Sequence, residues 1–132
     1  YKHRDRTATD VQWALKEFRN LLLEVQEYER SMLYLCLTGT LPIYYRNLQY
    51  NIPIQVRIPW SYPYEPPLLL VQPTSNMVIK TSQHVDSRGL FYHPYISYWA
   101  NQQSSIVGLL HIAKQVFSMQ PPVYSKPSQL QP

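Results

Sequence analysis

The amino-acid sequence predicts an α+β domain made of an N-terminal helix, a four-stranded antiparallel meander and a C-terminal helix. Three patterns carry that expectation. Val11, Leu15, Phe18, Leu22 and Val25 recur at spacings of four, three, four and three, which places them on one face of a helix. Leu33, Leu35 and Leu37, and then Ile52, Ile54, Val56 and Ile58, alternate as only extended backbone can use. Near the end, Ile106, Leu109, Leu110, Ala113, Val116 and Phe117 form a second helical stripe.

Taken in order, the first helix is expected from Thr7 to about Tyr28, capped by Thr7 or Thr9, with Asp10 favouring the positive end of its dipole. The polar run Gln26 to Ser31 breaks it. Met32 to Thr38 is then the first strand, and Cys36, between Leu35 and Leu37, reads as a small packed thiol. Arg46-Asn47-Leu48-Gln49 is a polar interruption of hairpin length, in which Asn47 tolerates a left-handed conformation. Pro42 and Pro53 cannot donate to a ladder, so each should face an edge without a partner. The Tyr62-Pro-Tyr-Glu-Pro-Pro67 segment is stiff, because each proline fixes its own φ and restricts the residue before it. Leu68 to Val71 is expected to be a strand buried on both faces. Gln72 to about Gln103 reads as irregular, anchored by Trp99, and Ser104 or Ser105 caps the last helix. Pro121-Pro122 ends the helix, and residues 126–132 begin a Pro/Gln/Ser-rich linker after a domain spanning 1–125.

Composition narrows the function. At 132 residues, with 45% hydrophobic and 15% charged residues, the chain is one globular domain. No apolar run is long enough to cross a bilayer as a helix, and no signal-peptide pattern opens the chain. A single cysteine excludes an internal disulfide and suits a reducing compartment. The chain opens on Tyr1 rather than methionine, which reads as a domain excised from something longer.

The net charge of +4 gathers partly at Lys2, His3, Arg4 and Arg6 and otherwise scatters singly, so a solvated basic terminus is expected and no nucleic-acid partner. Gly39, Gly89 and Gly108 stand in no phosphate-cradling motif, and there is no GxSxG elbow. His84, Asp86 and His93 lack further ligands at a recognisable spacing, so neither metal nor cofactor is expected. Tyrosines in a strand-rich chain are commonly packing groups, and Tyr62, Tyr64, Tyr95 and Tyr98 are read that way, in the core or in loops.

A helix, a strand meander, the YPxxPP loop, His84 with Asp86, then Gly89, an apolar pair and Trp99 resemble the ubiquitin-conjugating (E2) fold. Active members carry their catalytic cysteine three residues after that glycine; here the position holds Tyr92. A phenol with a pKa near 10 cannot form the thioester that transthiolation needs. The His-Pro-Asn signature is replaced by His84-Val85-Asp86, whose carboxylate would repel a developing oxyanion. The sequence therefore resembles the catalytically inactive ubiquitin E2 variant, or UEV, domains. Leu37 to Pro42, Tyr50 to Ile54, Pro73 to Met77, Ile79 to Thr81, His84 to Asp86 and Pro121 to Ser125 are similar, within that group, to the tumour-susceptibility/vacuolar-sorting family of ESCRT-I.

That resemblance implies two binding surfaces. Short peptides of the P(T/S)AP kind are pre-ordered and suit slots walled by aromatic rings. Tyr45, Tyr50, Met77 and Val123 match the family's peptide-groove positions, with Thr40, Ile43, Asn51, Pro53, Thr74, Tyr124 and Ser125 around them. Ubiquitin is implied on a hairpin tongue between the first two strands, trimmed here to roughly Glu27 to Arg30 with Tyr28 and Glu29, and on the sheet face at Arg57 and Leu70. Arg57 and Leu70 stand where relatives carry an aromatic pair, which predicts weak or altered binding. The implied role is a non-enzymatic adaptor of endosomal and multivesicular-body sorting, cytoplasmic and recruited peripherally to membranes. It would join other ESCRT-I subunits through regions outside this chain. The competing role is an accessory subunit of an active E2 in ubiquitin-chain assembly.

Overall fold

A computed structural model describes residues 1–28 and 32–126. Its elements are α1 (Arg4–Glu17), β1 (Leu21–Tyr28), β2 (Met32–Tyr45), β3 (Leu48–Ile58), β4 (Leu68–Val71), β5 (Met77–Ile79), α2 (Pro94–Ser97), α3 (Ile106–Met119) and β6 (Val123–Ser125). β1 to β4 form an antiparallel sheet in sequential order, and β5 pairs with β6 in a second, two-stranded sheet. One face of the large sheet carries Leu37, Val56 and Leu69, which meet Leu109, Leu110 and Phe117 of α3 in the core.

The first helix is shorter than its stripe predicts. It stops at Glu17, and Leu22 and Val25 lie on β1, exposed by 67% and 61%. The run from Leu21 to Tyr28 pairs residue for residue with Gly39 back to Met32. Helix propensity differs between residues by only about 0.7 kcal/mol, so a strand partner that satisfies the whole run decides its state. Gly39 makes the entry possible: its φ is +148°, and a Cβ there would lie 1.9 Å from the Asn20 carbonyl. Neither Thr7 nor Thr9 caps α1. His3 takes the N-cap position, and the buried Thr7 hydroxyl donates back to its carbonyl over 2.8 Å.

The four-stranded meander is present, but its strands divide differently. β2 is continuous through the residues read as the first strand and the first hairpin arm, and β1 supplies the missing member. The turn is the two residues Arg46 and Asn47, at φ 53° and 66°, the left-handed pair that a tight hairpin demands; Leu48 and Gln49 already belong to β3. β1 pairing ends at Gly39 and β4 pairing at Ile54, so Pro42 and Pro53 stand just past the outer strands, where a missing N–H is tolerated.

Three further expectations need correction. β4 is buried on one face only, through Leu69 and Val71, while Leu68 is exposed. The stretch read as irregular contains β5 and the short α2, because the partner of β5 lies at the far end of the chain. Tyr98, exposed by 83%, is not a packing group, whereas Tyr64, exposed by 63%, packs its ring 4.7 Å from that of His3.

The anchors of α3 follow the sequence. Ser105 caps the helix, its Oγ accepting from the Gly108 N–H at 2.9 Å. Trp99 donates from Nε1 to the Pro63 carbonyl at 2.7 Å and packs against Tyr62 and Tyr95. Cys36 is fully buried.

A polar knot completes the frame. The buried Tyr62 hydroxyl donates to Asp10 Oδ2 at 2.5 Å and accepts from the Ile106 N–H at 3.2 Å. Arg6 donates to the same Asp10 oxygen and to the carbonyls of Asn101 and Ser104, all at 2.8 Å. One carboxylate thus ties α1, the YPxxPP loop and the start of α3 together.

Candidate functional site

Beyond the end of α3, Pro121 and Pro122 turn the chain back, and β6 pairs with β5 in the register Met77↔Ser125, Val78↔Tyr124, Ile79↔Val123. The Lys80 N–H donates to the Pro122 carbonyl at 2.7 Å and the Lys126 N–H to the Asn76 carbonyl at 2.8 Å, fixing both ends of this small sheet. It faces the β2–β3 hairpin across a groove of about 510 Å³. One side is formed by Tyr45, Gln49, Tyr50, Asn51 and Ile52, the other by Met77, Lys80, Pro121, Val123, Tyr124 and Ser125.

Seven of the predicted peptide-groove residues meet here: Tyr45, Tyr50, Asn51, Met77, Val123, Tyr124 and Ser125. The other four do not line the cavity. Ile43 is completely buried on the core face, so its side chain has no surface to offer a ligand. The Thr74 carbonyl accepts from the Met77 N–H at 3.0 Å and sets the turn into β5; the Pro53 carbonyl accepts from Gln72 at 2.9 Å. The Thr40 N–H points to Asn20, at 3.4 Å. Gln49, Ile52, Lys80 and Pro121 were not anticipated. Gln49 was read as turn, yet its amide accepts from the Tyr44 hydroxyl and donates to Asn51 Oδ1, both at 3.3 Å, which orients the polar wall. The signal for Lys80 was its place directly after the apolar Met77 to Ile79 run.

The corner built around Tyr92 is the opposite kind of site. Asp86 Oδ1 accepts from the N–H groups of Arg88 and Leu90 at 2.9 and 3.0 Å, and Oδ2 accepts from the Tyr92 hydroxyl at 3.0 Å. The bond from the Leu90 N–H is the largest of several that hold the Asp86 carboxyl below its usual range. That carboxylate in turn pushes the Tyr92 phenol above its ordinary value, so the phenolate is still less available. Gly89, at φ +91°, closes the turn, and a Cβ there would stand 2.3 Å from the Val71 carbonyl. His84 and His93 pack their rings 5.4 Å apart. His84 Nδ1 lies 2.9 Å from the Tyr92 carbonyl, and His93 Nδ1 accepts from the Tyr95 N–H at 3.0 Å. Burial, then the neighbouring His84, lowers the His93 pKa.

On the outer sheet face, Arg57 and Leu70 are half-buried and share one side, since Gln55 pairs with Leu70 and Arg57 with Leu68. Arg57 Nε donates to Gln55 Oε1 at 2.8 Å. Tyr28 ends β1 opposite Met32, and Glu29 lies outside the described residues. Of the tongue read as Glu27 to Arg30, Glu27 and Tyr28 belong to β1, paired with Leu33 and Met32, and the rest lies outside the described residues.

The antiparallel sheet with its C-terminal helix is the frame of a ubiquitin-conjugating-enzyme variant, and the UEV domain family matches residues 1–125: the chain belongs to that family. It is 40% identical over 131 residues to the tumor susceptibility gene 101 protein of Homo sapiens, covering 96% of this chain and 34% of that protein. It is 33% identical over 105 residues to the ESCRT-I complex subunit tsg101 of Dictyostelium discoideum, covering 79% of this chain and 22% of that one. The chain thus spans about a third or less of these relatives. Among solved structures, the yeast vps23 UEV domain in complex with a vps27 PSDP peptide superposes with a TM-score of 0.68 at 19% identity, over 96% of this chain and 84% of that one. A complex of the Vps23 UEV with ubiquitin gives 0.63 at 21%, over 89% and 84%. At those identities the superpositions establish the fold.

Proposed function

We propose that this domain is a catalytically inactive recognition module that holds proline-rich peptides of the P(T/S)AP or PSDP kind in the groove between the β2–β3 hairpin and the β5–β6 sheet. The convergence of Tyr45, Tyr50, Met77, Val123 and Tyr124 on one open cavity carries this reading. Aromatic and thioether faces suit proline rings, and an extended ligand that is already ordered loses little entropy on docking. Gln49, Asn51 and Ser125 offer polar atoms that can fix the direction of the chain.

A second surface, the outer sheet face with Arg57 and Leu70, together with Tyr28 at the end of β1 and Glu29, which follows it in the sequence, is assigned to ubiquitin; the solved complex of a fold relative supports it. Residues 1–125 are taken as the binding unit and 126–132 as the start of a linker. In the whole protein this module would couple ubiquitin-tagged cargo to ESCRT-I at endosomal membranes, two weak contacts giving retention by avidity.

Two experiments test the reading. Titration with a labelled PTAP-type peptide, followed by nuclear magnetic resonance, should shift Tyr45, Met77 and Val123 and be weakened by Tyr45→Ala; shifts clustered elsewhere remove the groove assignment. Incubation with ubiquitin, an activating enzyme and ATP should leave the chain without a thiol-sensitive adduct. A charged product would restore an enzymatic role.

A further inference from the structure

Charge is distributed unevenly around the groove. The eight acidic residues are Asp5, Asp10, Glu17, Glu24, Glu27, Glu29, Glu65 and Asp86, so none stands in the segments that build the groove. Among the described residues lining the cavity, Lys80 alone carries a formal charge. Two more cations frame it. The Arg46 guanidinium rests 5.1 Å from the centroid of the Tyr45 ring, on the hairpin wall. Lys126 follows Ser125, at the opposite end of the β5–β6 sheet from Lys80. All three are exposed, and the backbone N–H groups of Lys80 and Lys126 bond to the Pro122 and Asn76 carbonyls. Cations gathered around an apolar slot, with no carboxylate among the described residues that line it, make a local positive field.

Resting on the groove assignment above, we propose that the site prefers proline-rich peptides carrying an acidic residue within or directly beside the motif. Lys80 reads that charge, and Arg46 and Lys126 support it. Exposed pairs are individually weak, so this is a selectivity laid over aromatic docking and felt strongly in the association rate.

The test compares three labelled peptides that are identical outside a four-residue core: PSDP, its neutral isostere PSNP, and ASDA, which keeps the acid and loses both prolines. At low salt PSDP should bind about fivefold tighter than PSNP. That ratio should fall toward one in about 0.5 M salt, where exposed charges are screened. Lys80→Glu, at a solvent-facing side chain, should invert the ratio, and Lys80→Gln should bring it near one. Equal binding of PSDP and PSNP, or a ratio indifferent to Lys80→Glu, overturns this inference and leaves the groove assignment standing. ASDA binding as tightly as PSDP also overturns it, because the site would then be a general anion trap. Failure of both PSDP and PSNP to bind removes the groove assignment and this inference together.

Discussion

Two tyrosine–aspartate pairs sit in this domain, and they do different work. Tyr62 and Asp10 meet in the interior at 2.5 Å, with the tyrosine fully buried. Tyr92 and Asp86 meet at the surface at 3.0 Å, with the tyrosine 47% exposed. Water can replace the second bond and cannot reach the first. The inner pair therefore fixes how α1, the YPxxPP loop and α3 assemble. The outer pair closes only a local turn, between residues six positions apart in the chain. The tyrosines of the groove are a third case, since Tyr45 and Tyr50 line an open cavity.

The contrast can be broken most directly in the interior. Tyr62→Phe removes the donor to Asp10 and leaves the buried Ile106 N–H without its acceptor, so urea unfolding should show a loss of about 2–3 kcal/mol. A loss no larger than that of Tyr92→Phe would show that burial does not set the value of these bonds. The alkaline limb sharpens the point. Burial, then the Asp10 hydrogen bond, raises the Tyr62 pKa well above its ordinary 10.0. The neutral phenol is favoured in the fold, so its contribution is complete below pH 10 and is lost as pH rises beyond that value. Stability of the wild type above that point should fall more steeply than that of Tyr62→Phe, by about 1.4 kcal/mol per pH unit.

In the groove, Tyr45→Ala should weaken PTAP-type peptide binding about tenfold, measured by fluorescence anisotropy, because in the proposed function its half-buried ring packs against the ligand. Tyr92→Phe should give the smallest effect. Its unfolding free energy should stay within about 0.5 kcal/mol of wild type, with peptide affinity unchanged. A larger loss at Tyr92 would mean that the closed corner also supports the fold.

Much of this was legible from residue spacing. The α3 stripe and its Ser105 cap, the left-handed Asn47, the edge positions of Pro42 and Pro53 and the buried Cys36 all follow from local pattern. β1 was not legible, because Phe18, Leu22 and Val25 fit a helical period as well as Leu21 to Tyr28 fits a strand. β5 and β6 are three residues each and have no pattern apart from their partner. In the groove, Tyr45, Tyr50, Met77 and Val123 were found through family resemblance. Ile43 was implied by the same resemblance, and its side chain lies wholly in the core. Lys80 went unremarked because a lone lysine has no periodicity.

By itself the sequence determined the α+β class, the last helix and the hairpin turn, since each depends on residue type or on neighbours a few positions apart. Only the tertiary structure decided that Leu21 to Tyr28 extends, that Asp10 meets Tyr62, and that β6 returns to form the groove's second wall. Strand pairing and buried hydrogen bonds join residues far apart in the chain, and their free energy exceeds the small local preference that a short segment carries alone.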